Sequence, residues 1–278
     1  MGDIRSVASV QELLDLADDP FLRYDIGPDS TTALPAWSCG MASAYLRQPP
    51  HRRALSMNLQ GPAVDAGPLI EALPDLLARA VAAHPGLAGL TLDAHLVEAT
   101  RSRLGSAYPM QLMGAWSWLS THHLVAIETP WYPAELDDLR DAAELIEFYR
   151  RANPAAESEP GEGASRYWLG MRDHGRLVGV GAVHLTPAGA PHLTGIAVDP
   201  ADRGHGLGLA VTAALTNWAI HRYGVATLGV MTANHRAVSL YRGLGYRVAH
   251  HWQSFRLLPG APVATMAEPA AVEILKDA

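Results

Sequence analysis

Arg203, Gly204, Gly206 and Gly208 follow an apolar segment ending at Val198 and open an apolar helical run, in the order VDPADRGHGLGLA. Glycines at the start of a helix carry no Cβ to hold a ligand off the backbone, and the N–H groups of the first helical turn then point at an approaching anion. Arg203 adds a fixed positive charge at the rim. The chemistry these residues suit is capture of a diphosphate. A Walker A loop would need a lysine after its last glycine, and a dinucleotide fingerprint begun at Gly204 would need glycine where Leu209 stands. Both are excluded.

The segment resembles motif A of the GNAT superfamily of N-acetyltransferases, in which Gln or Arg, two residues, Gly, one residue, and Gly or Ala follow in order. Arg203, Gly206 and Gly208 hold those three places. About 25 residues on, TLGVMTANHRAVSLYRGLGYRV is similar to the family's next strand, asparagine, helix and closing strand, with Asn234, Ala237, Leu240, Tyr241, Gly245 and Tyr246 at matching positions. The resemblance implies a mixed α/β sheet of the GNAT acyl-CoA N-acyltransferase type in the C-terminal half, with acetyl-CoA as co-substrate. It implies a cofactor loop made of Arg203, Gly204, His205, Gly206, Leu207, Gly208 and Leu209. Ile196, Ala197 and Val198 would run beside the pantetheine, with an oxyanion donor near the Val198 N–H. Asn234 would touch the cofactor arm, and Tyr241 would protonate the departing thiolate. Asn234 as a plain helix cap and Tyr241 as packing beneath the cofactor are the competing assignments.

An alkylammonium near pKa 10.4 must lose a proton before it attacks a thioester, which costs about 4–5 kcal/mol at pH 7. A base is therefore useful. The family often has a glutamate eleven residues before the Arg203 position, and here His192 stands there. Imidazole, titrating near 6.5, suits the task at neutral pH, although a strand-end surface histidine is the plainer reading. A turn centred on Ala188 would set His184 across from His192, and a slip of one residue would break the pairing. Glu128, Glu144 and Glu147 are other carboxylates that could reach a cleft, the last two reading as a solvated helix face.

The elements that must position these groups follow from periodicity. Expected are a strand over 122–128, a helix over 133–152, a loop over 153–165, and strands over 167–172 and 177–185 joined by an Asp173-His174-Gly175 turn. A strand over 192–198 feeds the glycine loop. The helix after it carries Val211, Leu215, Trp218 and Ala219 as a core stripe, and a strand over 228–232 precedes a helix capped by Asn234. Toward the N-terminus the pattern gives helices near 9–17, 68–83 and 92–104, an apolar stretch over 54–59 and an aromatic strand over 108–118. This half contains no glycine loop, catalytic cluster or sequence repeat. It reads as an α/β domain over 1–120, either a degenerate GNAT-like copy or an unrelated cap, followed by a catalytic domain over 121–258 and a tail over 259–278.

Composition sets the remaining bounds. With 278 residues, 49% of them hydrophobic, the chain can bury a large core. Its net charge of −7 and the lack of any basic cluster beyond His51-Arg52-Arg53 argue against nucleic acid or an anionic membrane as partner. The acidic, amphipathic N-terminus lacks a signal-peptide layout and no run of 18 apolar residues occurs, so the cytoplasm is the expected compartment. Cys39, the only cysteine, reads as a small buried hydrophobe. The adjacent pairs His122-His123 and His250-His251 point in alternating directions, so no metal is expected. The sequence thus reads as an N-acetyltransferase, monomer or homodimer, acting on a small amine or peptide amine by direct attack in a ternary complex. A non-catalytic acyl-CoA-binding or sensing module is the alternative.

Overall fold

Twelve strands and six α-helices make up the computed structural model, which describes residues 3–31, 33–48, 55–154, 156 and 158–258. In chain order these are β1 (Arg5–Val7), α1 (Val10–Leu16), β2 (Ala36–Cys39), β3 (Ala42–Arg47), β4 (Leu55–Gln60), α2 (Ala63–Ala83), β5 (Leu87–Asp93), α3 (Val97–Leu104), β6 (Met110–Thr121) and β7 (Pro133–Leu136). There follow α4 (Ala142–Ala152), β8 (Tyr167–Asp173), β9 (Arg176–Leu185), β10 (Pro191–Val198), α5 (Leu207–Tyr223), β11 (Ala226–Met231), α6 (His235–Gly243) and β12 (Arg247–Leu257). The expected tail over 259–278 and the His51-Arg52-Arg53 patch lie outside the described residues. Contacts divide the chain into two compact units: residues 1–6, 34–113 and 254–278, and residues 7–33 and 114–253.

In the first unit β2, β3 and β4 form an antiparallel meander, and β5 runs parallel to β4 from Leu55/Leu87 to Leu59/Leu92. Helix α2 seals one face because Leu69, Leu73, Leu76, Leu77, Ala80 and Val81 recur at helical spacing and meet Leu59, Leu90 and Leu92. Cys39 is buried in this core. The helix starts at Ala63, five residues before the expected Pro68. Proline suits a first turn, which is why Pro68 read as the start; here it is accommodated inside the helix. The expected helix over 92–104 is shortened, because Leu92 and Asp93 still belong to β5.

In the second unit the strands lie in the order β12-β6-β11-β10-β9-β8-β7. Helix α5 covers one face, where Leu207, Val211, Leu215 and Ala219 pack with Leu169, Val178 and Leu193. Helix α4 covers the other, with Leu145, Phe148 and Tyr149 against Trp168, Val180, Ala182 and Ala197. Trp218 packs partly buried against the same core and stacks flat on Tyr167 at 4.5 Å.

Two expected elements are corrected. Residues 122–128 form no strand: the amide of Asn217 takes a strand's place, accepting from Val125 N–H and donating to Val125 C=O, both at 2.8 Å. Residues 133–152 are not one helix. Pro133–Leu136 pairs with β8 as an edge strand, which tolerates a proline at its first position, and the helix begins only at Ala142. Between them Asp137 accepts from Leu139 N–H and Arg140 N–H, while Asp138 accepts from Gly161 N–H, Gly163 N–H and Trp168 Nε1–H.

The order β2-β3-β4-α2-β5-α3-β6 in the chain repeats the order β8-β9-β10-α5-β11-α6-β12. Both runs hold an antiparallel meander, then a helix, then a strand parallel to the last of the three.

Candidate functional site

The site is built where β10 and β11 part. Their parallel pairing consists of His192↔Thr227 and Leu193↔Leu228. A register shift against β9 between Thr194 and Ala197 marks a bulge at Gly195, whose φ is +60°. Any Cβ there would collide with Ser158 Oγ and Tyr149 Oη, and the Tyr149 hydroxyl donates to Gly195 C=O at 2.5 Å. Burial pushes the Tyr149 phenol well above its ordinary range, so it stays a donor. Beyond the bulge Asp199 N–H bonds back to Val178 C=O, so strand alternation turns the backbone groups of Ile196 and Val198 away from β9, while the side chain of Ala197 goes into the α4 core.

The glycine loop follows directly. Gly204 and Gly206 have φ of +91° and +79°, a region L-residues seldom adopt, and a Cβ on either would meet no heavy atom within 4 Å. Gly206 caps α5, and the N–H groups of Leu207, Gly208 and Leu209 open that helix without intrahelical acceptors. Gly208 faces Val198 and Leu240, so β10, α5 and α6 enclose the same opening. His205 is tied by Nδ1 to Asp202 C=O, and its own carbonyl accepts from Trp131 Nε1–H. The Arg203 guanidinium folds back to Val198 C=O and Ala152 C=O, anchoring the loop as well as charging its rim.

Behind the loop sits Asp199, which accepts from Ala201 N–H, Arg151 and Arg176. Burial alone would raise its pKa. The N–H bond and the two guanidiniums outweigh that and hold the carboxyl below its usual range. A depressed folded pKa stabilises above the unfolded value, and that contribution is lost as pH falls through the folded value. Asp199→Asn should therefore cost about 1 kcal/mol at pH 7, since both arginines are half exposed, and should flatten the dependence of stability on pH below about 4. Urea melts of both proteins from pH 3 to 7 measure it.

The remaining candidates separate by face. Tyr241, from α6, is buried with Leu207 and Tyr246 on the α5 face, and no hydrogen bond within the described residues reaches its hydroxyl. Burial pushes its pKa up to about 12. Asn234 caps α6, accepting from Ala237 N–H at 3.2 Å. His192 lies on the opposite face with Thr194, whose hydroxyl is 3.4 Å from Ser158 Oγ. Its expected register with His184 is present and the two rings stack at 4.9 Å. Thr227 Oγ1 donates to Pro191 C=O and so can only accept from His192 Nδ1, 2.9 Å away. In the neutral ring the lone pair therefore sits on Nε2, which is 3.7 Å from the position of a Cβ on Gly229. Sequence reasoning missed Gly229; a glycine inside a strand was its only signal.

The carboxylates are placed elsewhere. Glu144 is paired with Arg172, whose hydrogen bond holds its pKa low, and Glu147 is paired with Arg150 and Arg151. Glu128 lines a separate cavity of about 690 Å³ between residues 125–133, β8 and α5. Of the doubled histidines, His250 bonds Asp19 and His251 bonds Ser117. No cluster of three or more His, Cys, Asp or Glu among the described residues could hold a metal, and none of their helices is long and apolar enough to cross a membrane.

The Acetyltransferase (GNAT) family model matches residues 121–246. N-alpha-acetyltransferase RimI of Mycobacterium tuberculosis is 32% identical over 116 residues, which are 41% of this chain and 72% of that protein. Two solved structures share the fold. A GCN5-related N-acetyltransferase from Kribbella flavida has a TM-score of 0.53 at 18% identity, over 79% of this chain and 87% of its own. An acetyltransferase from the GNAT family of Colwellia psychrerythraea has a TM-score of 0.52 at 14% identity, over 92% and 100%. The chain belongs to the GNAT family of acetyltransferases, whose co-substrate is acetyl-CoA.

Proposed function

We infer that the protein transfers an acetyl group from acetyl-CoA to a primary amine by direct attack in a ternary complex. The observation that carries this reading is the pairing of open peptide donors at Gly206–Leu209 with a parted β10/β11 flanked by Tyr241 on one face and His192 on the other. The amine nitrogen forms its bond to the thioester carbon as its proton passes to His192 Nε2, directly or through water. The C–S bond then breaks and the sulfur takes the Tyr241 proton, while Val198 N–H stabilises the oxyanion between. Residues 121–258 are the catalytic domain in this reading.

Residues 1–120 are its degenerate companion. At the matching helix start in that half, Asp65 binds Met41 N–H and Asp93 binds Gly61 N–H, so carboxylates stand where a diphosphate would have to bind. The acceptor is a small amine or a peptide amine, and the α-amino specificity in the name of the mycobacterial relative supports a peptide N-terminus among the candidates.

Release of free thiol from acetyl-CoA, required to depend on an added amine, tests the activity. A raised melting temperature with acetyl-CoA and no turnover with any amine would instead make this a sensing module. His192→Ala should lower kcat/KM at pH 7 by about 10²-fold and flatten the acidic limb of the pH profile, because a protonated imidazole cannot take the amine proton. An unchanged limb would remove His192 as the base.

A further inference from the structure

Gly229 lies in the middle of β11, exposed, with β6 hydrogen-bonded along one side through Gly229↔Trp118. A glycine weakens a strand interior and is kept there for a bulge, a positive φ or a close approach of another chain segment. None of these holds here. Pairing with β6 runs unbroken from Ala226 to Met231, and φ of Gly229 is not positive. A Cβ would find only His192 Nε2 at 3.7 Å and Trp116 Cε3 and Cζ3 at 3.8 and 3.9 Å, all ordinary contacts. Packing therefore does not demand the glycine. What its missing side chain leaves is a slot over the strand, walled by the imidazole edge of His192 and by the half-buried indole of Trp116, on the face away from the glycine loop.

Trp116 is braced by Phe21 and Trp252, with ring centroids 6.3 and 6.1 Å away, so this wall belongs to a packed aromatic group and not to a loose surface side chain. Thr194 and Ser158 stand at the other side of the bulge, and neither they nor the two walls carry a negative charge. An indole face half open to solvent takes an apolar or aromatic group by burying ring area against it.

Resting on the acetyltransferase reading above, we propose that the slot over Gly229 between His192 and Trp116 is the acceptor subsite, and that it selects primary amines bearing an apolar or aromatic group. The amine enters beside His192 Nε2 while its apolar group lies on Trp116. Gly229 sets the room available, which makes it a specificity-determining residue.

The test compares 2-phenylethylamine with ethylamine as acceptors for wild-type protein, Gly229→Val and Trp116→Ala, with acetyl-CoA affinity measured separately by calorimetry. Wild type should favour 2-phenylethylamine. Gly229→Val should raise its KM at least tenfold and that of ethylamine less, and Trp116→Ala should erase the preference, with acetyl-CoA affinity unchanged in both. Gly229→Ala, whose Cβ fits without displacement, guards against misfolding and should give a smaller change of the same sign. A ratio of kcat/KM for the two amines that is unaltered in both variants, or a wild-type preference for ethylamine, overturns the subsite. Failure of the wild-type protein to bind acetyl-CoA would overturn the underlying activity instead.

Discussion

Gly206→Trp should weaken acetyl-CoA binding by about 10²-fold or more while leaving a folded protein. A Cβ there would meet no protein atom within 4 Å, so the side chain leaves the backbone into open space. It would, however, cover the N–H groups of Leu207, Gly208 and Leu209. Hydrogen bonds to a charged group are each worth about 1.5–3 kcal/mol, so loss of two amounts to about 3 kcal/mol or more, a hundredfold in affinity. The left-handed backbone at φ +79° adds a folding cost of about 1–2 kcal/mol that has nothing to do with the ligand. Gly224 separates the two effects. It ends the same helix at φ +74°, also with no neighbour within 4 Å of a Cβ, roughly 25 Å from the loop at 1.5 Å per residue. Gly224→Trp should lose comparable stability and bind acetyl-CoA as wild type does. Calorimetric titration of the two variants reads the difference, and equal affinities would sever the glycine loop from cofactor binding.

The parts of this site that could be read from the residues are those fixed by local backbone chemistry. Glycines at 204 and 206 stand where φ is positive, Asn234 accepts from Ala237 N–H, and the short turn about Ala188 sets His184 against His192. Each depends on neighbours a few positions away. The misread segments depend on distant ones. Val125 takes its two strand-like bonds from Asn217, on α5, and Pro133–Leu136 is held in extended form by β8. Both look helical or strand-like on periodicity alone, because the partner that decides the outcome is absent from the window.

The repeated order of elements in the N-terminal half was hidden for a different reason. A core needs only apolar residues at the right period, so β4, α2 and β5 keep the connection of β10, α5 and β11 while sharing no motif with them. Beside the start of α2 the carboxylates of Asp65 and Asp93 hold the Met41 and Gly61 N–H groups. Gly229 was illegible because a missing side chain has meaning only once His192 and Trp116 are seen on either side of it.

Tyr241→Phe should lower kcat by about 10²-fold, about 2.7 kcal/mol of barrier, with acetyl-CoA affinity nearly unchanged. No hydrogen bond among the described residues reaches the hydroxyl, so its removal leaves no orphaned group and a phenylalanine ring fills nearly the same space beside Leu207 and Tyr246. Its pKa of about 12 decides the pH behaviour. A phenol raised from 10 to that value is fully protonated through neutral and mildly alkaline pH, so the proton is in place whenever the thiolate forms. It also predicts where the residue matters for stability: burial favours the neutral ring, so the fold is penalised once pH passes 10 and the unfolded chain can ionise. The kcat loss in the phenylalanine variant should therefore be constant from pH 7 to 9. In that range the pH profiles of the two proteins should run parallel. A loss that grows toward pH 9 would mean that the tyrosine ionises during the reaction, and equal kcat in the two proteins would take it out of the chemistry, leaving the thiolate to depart unaided or to draw its proton from water.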